Sequence, residues 1–315
     1  MSWSRGYALT LLVVAAEVSP VRGQRWMLVY AGGGRHYGSE QFEHMLYPAG
    51  ATHTILDGLV TLDLASPQGH SFTSWANGPP SIDDYGVYLD SLFSPRSPLT
   101  VADSIGRAHA DTLLLAVMVP YPLGTVRRFP PADSRIAFLA NYMALAESLF
   151  AARGYGSLRL WGFYWLPEAV TSGDTLIVQR FTSLVHRQGL KALWIPTFLG
   201  GSAMDWRGLG FDEACLQPNY FFDPTVQDAR LDSAVNRAVS VQMGLEIEFD
   251  KRLLTDSVYR KRLEPYLAAL ERSPGREVRN LAVYDGAGAM DEIAVSRDSY
   301  LLGLYRRLVA RLRGP

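Results

Sequence analysis

The chain has 315 residues, 48% of them hydrophobic, which suits one large folded domain and excludes both a disordered chain and a multi-span membrane protein. Its 30 Lys and Arg against 31 Asp and Glu leave a formal charge of −1, so no basic field exists to hold nucleic acid. A single cysteine, Cys215, excludes an intramolecular disulfide and every Cys-rich metal module, so packing must hold the core.

Residues 1–23 combine Arg5 with an apolar run from Tyr7 to Ala16, followed by Ser19, Pro20 and Gly23. That run is shorter than the ~20 residues a spanning helix needs, and it reads as a secretory signal cleaved near Gly23. The expected mature chain, 24–315, is then secreted or periplasmic and soluble, with no integral membrane segment. Eight short apolar runs follow, at 25–34, 57–64, 111–122, 157–168, 191–201, 214–222, 244–250 and 280–288. Amphipathic stretches at 133–152, 174–188, 228–242, 256–272 and 291–313 separate the later ones. Residues 65–110 read as an extended loop with helical pieces, and only a short helix around Trp206 to Ala214 fits between the fifth and sixth runs. Near-continuous apolar strands alternating with helices predict parallel strands buried on both faces. Eight such units predict an α/β fold, a (β/α)₈ TIM barrel in a single domain. A doubly wound open sheet normally has fewer strands.

In such a barrel the chemistry sits at the carboxyl ends of the strands. The seventh run, LEIEFD, alternates Leu245, Ile247 and Phe249 with Glu246, Glu248 and Asp250, so the acids share one face and point into the barrel. A carboxylate there is costly unless paired, for example with Arg159, and its retention points to chemistry. At the end of the fourth run Glu168 follows Trp161, Tyr164, Trp165 and Pro167. Partial desolvation among those rings raises a carboxyl pKa, as a general acid for a glycosidic oxygen requires. A first-turn glutamate of the next helix is the structural alternative. Tyr164, Trp165, Trp194, Tyr220 and Tyr284, with Trp161 and Trp206, are candidate platforms for sugar rings. Gln217, Asn219 and Asp285 are candidate partners for hydroxyl groups. The six histidines show no paired spacing, so no metal site is expected, and no cofactor. The run Gly32-Gly33-Gly34 could cradle an anion, but a lone glycine run is more often a tight turn.

GFYWLPE (162–168), LWIPTF (193–198), GFDEACLQPNYFF (210–222) and MGLEIEFD (243–250), with YAGGG and DGLVTLDL earlier, resemble a bacterial family catalogued as domain of unknown function 4855. The resemblance runs from about residue 26 to the end and implies a glycoside-hydrolase-like barrel. Retaining barrel glycosidases of the largest clan place an acid/base glutamate at strand four and a nucleophilic glutamate at strand seven, a layout that Glu168 and Glu246 or Glu248 match. That clan usually carries Asn just before the acid/base; here the position is Pro167. The expected function is an exported retaining glycoside hydrolase acting on a polysaccharide or glycoconjugate. Glu168 is the expected acid/base; Glu248, nearer the carboxyl end, is preferred as nucleophile, with Glu246 supporting it. A carbohydrate-binding barrel without turnover and a polysaccharide lyase are the alternatives.

Overall fold

The computed structural model describes residues 23–32, 37–73, 80–121, 132–272, 278 and 280–314. The expected secretory signal, apart from Gly23, lies outside the described residues, as do Gly33 and Gly34. Eight strands, β1 (Arg25–Val29), β2 (Gly58–Thr61), β3 (Leu113–Val119), β4 (Leu158–Trp165), β5 (Lys191–Trp194), β6 (Glu213–Leu216), β7 (Gly244–Glu248) and β8 (Leu281–Tyr284), form a closed barrel. All neighbours pair in parallel, and the ring closes where Arg25 to Met27 of β1 meet Leu281 to Val283 of β8. The runs are apolar because each strand is covered on both sides: every residue of β1, β2 and β7 is buried.

Two local features set the shape of the wall. At β4 the register slips by one: Leu115 pairs with Leu160 but Ala116 with Gly162, leaving Trp161 as the extra residue. Beside that bulge a Cβ on Gly162 would stand 1.8 Å from the Lys191 carbonyl oxygen, so only glycine lets β4 and β5 pair there.

Helices α1 (Ser39–Leu46), α2 (Ile82–Leu92), α3 (Pro98–Ala108), α4 (Ala132–Arg153), α5 (Thr175–Arg187), α6 (Ala229–Ser240), α7 (Arg252–Thr255), α8 (Glu264–Glu271), α9 (Ala289–Ala294) and α10 (Ser299–Arg313) accompany the strands. The loop expected over 65–110 carries α2 and α3, each started by a serine cap, Ser81 and Ser97. The stretch 256–272 is a 3₁₀ turn at Tyr259–Lys261 and then α8, whose first turn holds Pro265, a residue with no N–H to lose there. The stretch 291–313 is likewise two helices, because Asp298 accepts the N–H groups of Tyr300 and Leu301 and starts α10 afresh. Between β5 and β6 stands a 3₁₀ turn, Gly201–Asp205, in place of the expected helix at Trp206 to Ala214. No helix among the described residues is long and apolar enough to cross a membrane.

Candidate active site

The carboxyl ends of the strands surround an open cavity of about 790 Å³. Alternation decides which side chains reach it, because neighbours along a strand point to opposite faces. On β4 and its continuation Tyr164, Leu166 and Glu168 line the cavity. Trp165, between them, faces outward and packs on Phe181 of α5, with ring centroids 5.1 Å apart. Just past β5, Ile195 lines the cavity while Trp194 is buried away from it, stacked on Phe211 and donating its Nε1–H to the Pro167 carbonyl. Past β6, Gln217 lines the wall. Tyr220 has the opposite parity: it is buried, donates its hydroxyl to Asp228 and lies 3.7 Å beneath the Arg262 guanidinium. On β8 Tyr284 lines the wall, whereas Asp285 is fully buried and accepts the N–H groups of Ala287, Gly288 and Met290 at the start of α9.

Trp165, Trp194, Tyr220 and Asp285 are therefore placed off the cavity wall, a correction to the sequence expectation. In three of the four cases the adjacent residue, Tyr164, Ile195 or Tyr284, occupies the inward face. Core truncation follows for the tryptophans: Trp194→Ala is expected to cost about 3–5 kcal/mol of stability in a urea titration. A loss below about 1 kcal/mol would show that the ring is not core. Asn219 is also absent from the wall; at φ 51° it holds the rim together. Its Oδ1 accepts from the Thr197 hydroxyl and the Phe198 N–H, and its Nδ2 donates to Gln217 Oε1 at 2.9 Å.

The seventh-strand acids divide differently from the expected order. Glu246 is 2% exposed and lines the cavity, and its Oε2 has no hydrogen-bond partner. Glu248, 1% exposed, does not line the cavity, although its Oε1 likewise has no hydrogen-bond partner. Its Oε2 accepts the Asn219 N–H at 2.9 Å and the Tyr266 hydroxyl at 2.8 Å, contacts that hold it against the β6 rim and α8. No basic side chain pairs with either, among the described residues; Arg159 is exposed and donates to the carbonyls of Gly156 and Leu158. Burial pushes the Glu246 carboxyl well above the carboxylate range, and repulsion from Glu248 and Glu168 adds to it. Burial also lifts Glu248, to about 7, against the hydrogen bonds from Tyr266 and Asn219. Glu168 stands exposed at the cavity mouth, yet the protein packed around its carboxyl raises it too, opposed by a long 3.4 Å contact from Gln217 Nε2.

Several wall residues carry no sequence signal of their own. Tyr30 follows β1 and shares a 2.8 Å hydroxyl contact with Tyr284, whose ring also meets Phe222 edge-on. Tyr121 and Asp174 line the wall at the β3 and β4 ends. In the glycine run, the N–H groups of Ala31 and Gly32 donate to Asp63, and a Cβ on Gly32 would strike the Tyr88 ring at 2.2 Å. Close packing thus explains Gly32. No three His, Cys, Asp or Glu side chains converge as a metal site among the described residues.

No curated protein matches the chain. Among solved structures, a GH113 β-1,4-mannanase aligns at 10% identity and a TM-score of 0.51, over 92% of this chain and 97% of that one. A mutant tryptophan synthase α-subunit from Pyrococcus furiosus aligns at 13% identity and 0.47, over 93% and 99%. An intracellular xylanase from Thermoanaerobacterium saccharolyticum aligns at 9% and 0.46, over 88% and 89%. At these identities the mannanase likeness is one of fold, a TIM barrel. The profile of the Domain of unknown function (DUF4855) matches residues 126–310, more than half of the sequence and all of β4 to β8, and the chain belongs to that family.

Proposed function

We propose that this barrel is a glycoside hydrolase that cleaves a polysaccharide or glycoconjugate with two glutamates, Glu168 and Glu246. The observation that carries the reading is that both carboxyl groups line one cavity, from the end of β4 and from β7, and that the protein packed around each raises it. A raised carboxyl in a cleft with aromatic walls is what the acid/base of glycosidic cleavage needs, while the nucleophile, Glu246, acts once it has lost its proton. Glu168, protonated, gives its proton to the glycosidic oxygen as the bond to the anomeric carbon breaks. Glu246 reacts in its charged form, having released its proton to solvent before attack, and the positive charge growing on the sugar ring stabilises that carboxylate. The Glu246 carboxylate then bonds to the anomeric carbon. Water, deprotonated by Glu168, displaces it and releases the sugar with its configuration retained. Glu248 supports Glu246 from the position two residues further along β7, and Tyr164 and Gln217 complete the wall beside Glu168. Residues 1–23 are read as the export signal, and 24–315 as the catalytic domain.

The test is a panel of neutral, acidic and amino polysaccharides incubated with the purified protein, reading new reducing ends and the anomer first formed by proton NMR. Release of reducing ends that Glu168→Gln abolishes supports the reading. Retention of a glycan on the protein without cleavage would instead favour a binding barrel, and unsaturated products a lyase.

A further inference from the structure

We infer that Tyr121 is the platform of a sugar subsite on the leaving-group side of Glu168, an inference that rests on the hydrolase reading above. Tyr121 lies two residues beyond β3, is half-buried and lines the cavity. Its hydroxyl donates to Asp174 Oδ1 at 2.7 Å, and the same oxygen accepts from Arg135 Nη2 at 2.8 Å. The other Asp174 oxygen accepts from the Thr171 hydroxyl at 2.8 Å. The Arg135 guanidinium stands 4.8 Å from the Tyr121 ring centroid, and Trp165 meets that ring edge-on at 6.3 Å. The Tyr121 carbonyl accepts from the Tyr85 hydroxyl. Edge, face and backbone are all tied.

These ties assign Asp174 a holding role. Burial alone would raise its carboxyl, but the hydrogen bonds from Tyr121, Arg135 and Thr171 outweigh burial and keep it below the ordinary range. A group held charged, with both oxygens occupied, is a poor proton donor. What it does is fix a ring, and a ring fixed before binding loses little freedom when a sugar stacks on it.

Barrel order locates the subsite. Tyr121 extends β3, Glu168 extends β4, and Glu246 belongs to β7; strands four apart in an eight-strand ring lie across from each other. The scissile bond must lie between Glu168 and Glu246, with its anomeric carbon toward Glu246 and its leaving oxygen toward Glu168. The departing sugar then extends away from Glu246, toward β3 and Tyr121. Thr171 and Asp174, in the same β4–α5 segment as Glu168, flank that path. The retained sugar lies on the side of Tyr284, on β8 next to β7, and of Tyr30, just past β1 on the far side of β8.

The experiment compares two substrates of one glycone: the oligosaccharide that wild-type protein cleaves best among manno-, xylo-, cello- and chito-hexaoses, and the glycosyl fluoride of the sugar it releases, which has no leaving sugar to stack. Tyr121→Ala is expected to lower the ratio of kcat/KM on oligosaccharide to kcat/KM on fluoride by roughly tenfold or more. Tyr121→Phe keeps the ring and should restore most of that ratio. Turnover of the fluoride also reports that each variant is folded. An unchanged ratio in Tyr121→Ala overturns the inference while leaving the hydrolase reading in place. A wild-type protein that cleaves none of these hexaoses and none of the neutral, acidic and amino polysaccharides overturns both.

Discussion

Glu246→Gln is expected to lower kcat by at least roughly 10³-fold on any glycan the protein cleaves, and Glu248→Gln to leave measurable turnover. The difference follows from orientation. Each glutamate carries one unpartnered oxygen, but Glu246 lines the cavity, whereas Glu248 is held by Asn219 and Tyr266 through its other oxygen. Removing Glu246 therefore removes the group that meets the anomeric carbon. Azide, a small anion able to enter the space left by a truncated side chain, should partly restore turnover of Glu246→Ala. Removing Glu248 removes a like charge that raises the Glu246 carboxyl. Glu246 must be charged to react, so its pKa sets the acid limb of the rate profile. Without Glu248 that pKa falls, and the acid limb of kcat/KM moves to lower pH. Normal turnover by Glu246→Gln would sink the assignment. Loss of all turnover in Glu248→Gln, in a variant that melts like wild type, would return the nucleophile to Glu248.

The barrel is legible because its signal is redundant: eight apolar runs each need two covered faces, and only alternating helices supply them. The carboxylates are legible for the opposite reason, since Glu246 and Glu248 break an apolar pattern that burial would otherwise enforce. The aromatic wall is harder, because tryptophans look the same in sequence whether they face a cavity or a helix. Parity distinguishes some of them. Once Glu168 is taken as inward, Tyr164 shares its face and Trp165 does not, as Tyr284 and Asp285 divide on β8. Parity cannot separate Glu246 from Glu248, which share a face; that division comes from Asn219 and Tyr266, brought in by the β6 rim and α8. Nor can it find Tyr121, whose importance lies in contacts with Arg135 of α4 and Asp174 before α5. Such a cluster exists only after three segments have packed. The fused helices at 256–272 and 291–313 failed on shorter signals, a proline and a capping aspartate.

Thermal stability is expected to be greatest on the acid side of neutrality and to fall as pH rises from about 5 to 8. Two sets of carboxyls act on opposite sides of that optimum. Asp84, Asp111, Asp174 and Asp212 are held below the ordinary range, each by hydrogen bonds that outweigh its burial. Such groups contribute stability above the unfolded value near 4, lost as pH falls through their folded values. Glu246 and Glu248 are raised by burial, Glu248 from 4.5 to about 7, and the half-buried Glu213 of β6 is desolvated to about 7. Their contribution is complete below the unfolded value near 4.5 and is lost as pH rises through the folded values. For Glu248 alone the shift corresponds to a loss on the order of 3 kcal/mol once its carboxyl ionises. In a chain of this size that is roughly 4–5 °C in Tm. Glutamine cannot ionise, so Glu248→Gln should flatten the alkaline decline, and it should do so whether or not a substrate is ever found. Melting curves at half-unit pH steps from 4 to 8 are the measurement. Parallel curves for wild type, Glu246→Gln and Glu248→Gln would mean that these two carboxyls reach water in the native fold, and a buried β7 pair would then have no physical basis.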